Sequence, residues 1–277
     1  MMVAMGAFVI NDSIMKSLSG DVPLFQAIFV RGLFATILIG ALAMVRGVAR
    51  PQSLARQDRW IAILRAAAEI GATTCFLTAL FNMPFANAMA ILQATPLALT
   101  FIGALFLRET VGWRRWSAVG VGFLGVLLIV RPGTEGFNEA TLWAVAAVAF
   151  ICARDLATHR LSRETPSLFI TLMTAAAITT LGGLVTATQS WTPMSFSGLG
   201  LLALAACFLF VGYLFSVMTM RVGEITFVSP FRYSILIWAL IIGWVVFDEV
   251  PALPTWIGAA LITAAGLYTF FRERKLA

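Results

Sequence analysis

Apolar runs of about twenty residues follow one another along almost the whole chain, separated by short polar breaks. They predict ten spanning helices, at 2–18, 23–45, 59–81, 85–107, 113–130, 139–159, 167–187, 199–220, 225–247 and 255–271. A bilayer core about 30 Å thick is crossed by roughly 20 apolar residues of helix. Runs this long, without strict alternation, do not fit barrel strands. The connections leave no room for a soluble domain. The first residues carry no basic n-region, so the opening run is expected to be a span rather than a cleaved signal.

The pattern occurs twice. Phe106 to Arg131 is matched near the C-terminus by Val246 to Phe271. Gly103 and Gly243, Glu109 and Glu249, and Trp116 and Trp256 pair at one constant offset, 249 − 109 = 140. Upstream, Asp12 to Pro23 matches Asp155 to Pro166, with 155 − 12 = 143; Leu18 pairs with Leu161 and Ser19 with Ser162. A period this long indicates duplicated domains rather than a solenoid. Two halves follow, residues 1–135 (spans one to five) and 136–277 (spans six to ten). Five is odd, so the second half enters the membrane from the opposite side. The expected fold is an all-α integral membrane protein of two inverted five-helix repeats, an architecture that secondary transporters use.

Charge sets the orientation. With the N-terminus inside, 13 flanking Lys and Arg fall on the inner side and 2, Lys16 and Arg131, on the outer. This positive-inside bias places both termini in the cytoplasm. Composition agrees with a bilayer: 60% hydrophobic and 12% charged, against about 45–50% and about 25% in soluble domains. The net charge of +6 is spread over short loops, so nucleic acid is not an expected partner. Cys75, Cys152 and Cys207 all lie in apolar runs, and there is one histidine. No metal site, cofactor or hydrolase triad is expected.

Ionisable groups inside spans are functional candidates, because burying them in hydrocarbon is costly. They are Asp12, Arg31, Arg65, Glu69, Arg154, Asp155 and Arg232, with His159 and Glu224 near an edge. Arg31 and Glu69 both fall near the midplane, where a pair is expected, either architectural or ligand-facing. Asp12 lies in the outer part of span one and its repeat mate Asp155 in the inner part of span six, as two related gates would. Arg154 and Asp155 project about 100° apart and are not expected to pair with each other. Arg154 and Arg232, at similar depth, either form a positive inner vestibule or snorkel to headgroups. His159 reads as an interfacial polar residue.

Span four carries Asn87, Gln93, Thr95 and Pro96, and the proline predicts a mid-span kink that either frees a carbonyl for a ligand or serves packing alone. Ser229 to Ser234, with Phe231, Arg232 and Tyr233, reads either as a ligand contact or as an interfacial anchor. Tyr213 and Trp238 are candidate aromatic cavity walls. Gly120 to Gly125 spells GxGxxG, but within a span; small residues permitting close helix packing explain it, and span ten has a matching small face. The two faces pack within one chain or between two copies, as a homodimer.

Ten spans in two halves, a Glu ending spans four and nine, and glycine-rich spans five and ten resemble the drug/metabolite transporter superfamily, in its EamA-type branch. The overall texture is most similar to the bacterial YddG-type amino-acid exporters. The resemblance implies a bacterial inner-membrane secondary transporter, not an enzyme, that exports small metabolites, chiefly aromatic or neutral amino acids. The cavity would lie among spans one, three, four, six, eight and nine. Arg154 or Arg232 would hold the carboxylate, and Asp12, Asp155 or Glu69 the ammonium. The competing reading keeps the fold and changes the substrate to a drug, S-adenosylmethionine or a nucleotide-like metabolite.

Overall fold

The computed structural model describes residues 1–48, 56–106, 112–131, 138–162, 164–222 and 229–274. Glu109 and Glu224 lie outside these, as does the side chain of His159. The described residues form helices α1 (Met2–Ser17), α2 (Leu24–Val45), α3 (Arg56–Asn82), α4 (Phe85–Leu92), α5 (Thr95–Phe106), α6 (Trp113–Val130), α7 (Glu139–His159), α8 (Ser167–Ala187), α9 (Phe196–Val222), α10 (Ser234–Phe247) and α11 (Leu253–Arg274). A 3-10 turn, Ser229–Tyr233, leads into α10. With α4 and α5 counted as one broken segment, the described residues form ten helical segments. Six are long and apolar enough to span a membrane, and 116–130, 231–247 and 253–269 are shorter apolar helices. Ile37, Leu64, Leu184 and Trp244 are each more than 60% exposed. Such apolar side chains turned outward suit lipid, whose tails are as apolar as they are.

Local chemistry sets the ends. Pro23, Pro84 and Pro166 stand at the N-caps of α2, α4 and α8, where the missing N–H of proline is not needed. The Asn138 side-chain Oδ1 accepts from the Thr141 N–H and caps α7. The expected break in span four is present. Pro96 has no N–H for the Leu92 carbonyl, which instead accepts from the Thr95 hydroxyl at 2.6 Å. The chain turns at Gln93 and Ala94 through three-residue hydrogen bonds to Ala90 and Ile91. Thr95 O faces the Cys152 thiol of α7 at 3.9 Å.

Four pairings build the bundle: α3 with α7, α1 with α9, α2 with α8, and α6 with α11. Glycine makes the close approaches possible. A Cβ on Gly71 of α3 would lie 2.6 Å from the ring of Phe150 on α7, and one on Gly212 of α9 would lie 2.7 Å from the ring of Phe8 on α1. Gly125 of α6 and Gly258 of α11 cross backbone to backbone; a Cβ on Gly258 would lie 2.5 Å from the Gly125 carbonyl. Swapping the first five segments for the last five maps this set of pairs onto itself: α3–α7 becomes α9–α1, and the other two return to themselves. The small faces of spans five and ten therefore meet within one chain.

Candidate functional site

Among the described residues, the charged side chains buried or half-buried near the middle of the helices gather in two groups. The first lies between α3 and α7. Arg154 Nη1 donates to Glu69 Oε1 at 3.3 Å and to Oε2 at 3.4 Å, and Nε donates to Asp155 Oδ1 at 2.8 Å. The expectation that Arg154 and Asp155 stay apart is wrong: their Cβ directions differ, but the long arginine stem folds back along the helix. Arg65, one turn before Glu69, lies 4.0 Å from its carboxylate and donates to the Thr158 and Thr174 hydroxyls at 2.8 and 2.6 Å. The second group is on α1 and α2. Arg31 Nη1 reaches Asn11 Oδ1 at 3.4 Å, and the Asn11 amide donates to Asp12 Oδ1 at 2.7 Å. The expected Arg31–Glu69 pair gives way to these two groups, because Arg154 and Arg65 lie closer to Glu69 on their own face of the bundle.

Between the groups is a narrow cleft with about 50 Å³ of free volume, lined by α2, α3, α8 and α9. Arg31, Arg65, Glu69 and Tyr213 face it, with Thr171 and Thr174. Arg31 and Glu69 are each only 7% exposed. Tyr213 is steadied by an edge contact with Phe8, centroids 5.4 Å apart. Every lining position falls in the half of its helix nearer the side predicted to be cytoplasmic, or close to the middle. The walls are thus spans two, three, seven and eight, where the sequence suggested one, three, four, six, eight and nine.

The remaining candidates are dispersed. Asp155 is half-buried beside Arg154, and Gln93 and Pro96 mark the helix break. Phe231 and Arg232 are exposed on the 3-10 turn, so Arg232 does not join the committed guanidinium of Arg154. Tyr233 rests against Gly266, where a Cβ would overlap its hydroxyl, and Trp238 packs over Gly6.

Two ties at opposite ends were not foreseeable from the spans alone. At the end predicted to face outward, Lys16 Nζ donates to Glu249 Oε1 at 2.6 Å and to the Met83 carbonyl at 2.9 Å. Glu249 Oε2 accepts from the Phe85 N–H at 2.6 Å, and Lys16 lies 5.0 Å from the ring centre of Phe247. Asp248, in the left-handed conformation (φ 52°), places Glu249: the N–H groups of both residues turn back to the Gly243 carbonyl. At the end predicted to face the cytoplasm, Asp58 accepts from the Ser162 N–H and hydroxyl and the Thr165 hydroxyl, at 3.3, 2.6 and 2.9 Å. The signal for the outer tie was the acid repeated at 109 and 249; nothing in the sequence named Lys16 as its partner.

Residues 1–131 match the EamA-like transporter family. An S-adenosylmethionine uptake transporter of Rickettsia prowazekii is 26% identical over 267 residues, covering 96% of this chain and 89% of that protein. A riboflavin transporter of Vibrio cholerae is 28% identical over 278 residues, covering 99% and 93%. A pseudopaline exporter of Pseudomonas aeruginosa is 25% identical over 266 residues, covering 93% and 90%. A solved crystal structure superposes with a TM-score of 0.68 at 19% identity over 99% of this chain and 97% of that one, which shows the shared fold alone. None of these three relatives is named for free amino acids, so they lend the amino-acid export reading no support.

Proposed function

We propose that this chain is an EamA-type transporter of the drug/metabolite family, not an enzyme, and that it carries an S-adenosylmethionine-like or nucleotide-like metabolite by alternating access. One observation carries the reading: in a bundle otherwise walled by apolar side chains, Arg31, Arg65, Glu69 and Tyr213 converge on one cleft. Buried charge at membrane depth is kept for substrate or ion handling, or for pairing. Here it lines space. The aromatic face of Tyr213 suits a heterocycle, and the charges suit its polar appendages. The names of the relatives support this class over aromatic amino acids.

The inverted repeat supplies the motion. It is supported by the self-mapping set of helix pairs and by the constant sequence offsets. The Lys16–Glu249 tie shuts the outer approach while the cleft lies toward the inner side, the arrangement of a carrier held closed at one face. The positive-inside bias supports cytoplasmic termini, and the bacterial relatives support a bacterial membrane.

The test is uptake of labelled S-adenosylmethionine into proteoliposomes, with unlabelled riboflavin and phenylalanine as competitors, with and without a pH gradient. Saturable uptake that phenylalanine fails to compete is expected. Uptake of phenylalanine in preference to S-adenosylmethionine would return the protein to the amino-acid reading.

A further inference from the structure

We infer that Arg31, and not Arg154 or Arg232, binds the substrate's anionic group, with Glu69 taking an ammonium, so that the cleft selects metabolites bearing an α-amino-acid head. This deepens the proposed function and rests on it. The three arginines near the cleft differ in what already occupies them. Arg154 is held by two carboxylates, through Nε and Nη2 at 2.8 Å to Asp155 and Nη1 at 3.3 Å to Glu69. Arg65 spends Nε and Nη1 on Thr158 and Thr174. Arg31 is 7% exposed and lines the cleft. Its hydrogen bond to Asn11 is long at 3.4 Å and its buried Nε has no hydrogen-bond partner; the Asp12 carboxylate beyond Asn11 acts on it through space. A guanidinium is a planar fork of five donors matched to a carboxylate. A buried donor left unmade is costly, and a ligand acceptor entering the cleft beside Arg31 would relieve that cost.

Glu69 lines the same cleft. Its contacts to Arg154 are 3.3 and 3.4 Å and that to Arg65 is 4.0 Å. An ionised carboxylate offers about four lone-pair sites, so acceptor capacity remains for an ammonium. Tyr213 then faces the rest of the molecule. A head with a carboxylate and an ammonium matches an arginine with spare donors and a carboxylate with spare acceptor sites on neighbouring helices of one cleft, and a neutral heterocycle does not.

The experiment compares four compounds on the purified full chain, by thermal stabilisation and by competition with labelled S-adenosylmethionine uptake. They are S-adenosylmethionine, its decarboxylated form, 5′-methylthioadenosine and riboflavin. The wild type is expected to bind S-adenosylmethionine at least tenfold better than the decarboxylated form, about 1.4 kcal/mol. Arg31→Gln is expected to erase that preference by weakening only S-adenosylmethionine, and Arg31→Lys to restore part of it. Glu69→Gln is expected to weaken both amine-bearing compounds. An unchanged preference in a folded Arg31→Gln protein overturns the inference. So does equal wild-type binding of the carboxylated and decarboxylated forms. Binding of riboflavin or methylthioadenosine alone overturns the head-group assignment and leaves metabolite transport standing. Binding of none of the four overturns both.

Discussion

Glu249→Gln is the sharpest probe of the outer tie. The glutamine keeps an acceptor for the Phe85 N–H but loses the charge that holds Lys16. A hydrogen bond between charged groups contributes about 1.5–3 kcal/mol. The side chains here are 12% and 25% exposed, so solvent screening lowers the loss to about 1–2 kcal/mol. That is roughly a 5- to 30-fold shift in the balance between closed and open outer ends. Amide hydrogen exchange reads it directly, since exchange through local opening scales with the open population. Exchange is expected to quicken by that factor at residues 83–92 and at the ends of α1 and α10. The region around Ser162, tied by Asp58 at the other end, is expected to stay unchanged. The reasoning is refuted by unchanged exchange at 83–92 in folded protein, or by a uniform rise along the chain.

Further outcomes follow from the same contacts. Gly258→Ala puts a methyl 2.5 Å from the Gly125 carbonyl and 2.6 Å from Ile129, so it is expected to destabilise the bundle by about 1–3 kcal/mol; thermal unfolding in detergent checks this. Gly120→Ala, which has nothing within 4 Å, is expected to leave the transition within about 0.5 kcal/mol of wild type. Asp58→Ala leaves the Ser162 N–H without its carboxylate acceptor and is expected to speed exchange around Ser162 and Thr165 while sparing 83–92. Replacing Pro96 with Ala returns an N–H able to reach the Leu92 carbonyl, and exchange protection at residues 93–97 is expected to rise.

The fold was legible because hydrocarbon simplifies the code. Length and hydropathy alone separate spans from loops, and Pro96 announced the break between α4 and α5. Small residues on spans five and ten predict a packing face, and Gly125 and Gly258 cross there. The site was legible only as a set of suspects. Sequence places Arg31 and Glu69 at similar depth, but depth is one coordinate. Azimuth decides partners, and a helix apolar on every side carries no polar stripe to reveal which face turns inward. Hence Glu69 was assigned to Arg31, although α3 turns it toward α7 and Arg154. Arg154 and Asp155 were separated on Cβ directions alone, which neglects the reach of a four-bond stem. Lys16 was counted as a topology signal, and its second role appeared only when the left-handed turn at Asp248 brought Glu249 over it.

The central claim is that the cleft between α2, α3, α8 and α9 is the path of a metabolite. The most direct measurement is uptake of labelled S-adenosylmethionine into proteoliposomes by the wild type and Arg31→Gln side by side, with folding of both verified by thermal transition. The account predicts saturable uptake by the wild type and at least a tenfold loss of kcat/KM in the variant. Wild-type uptake that the variant matches would contradict it.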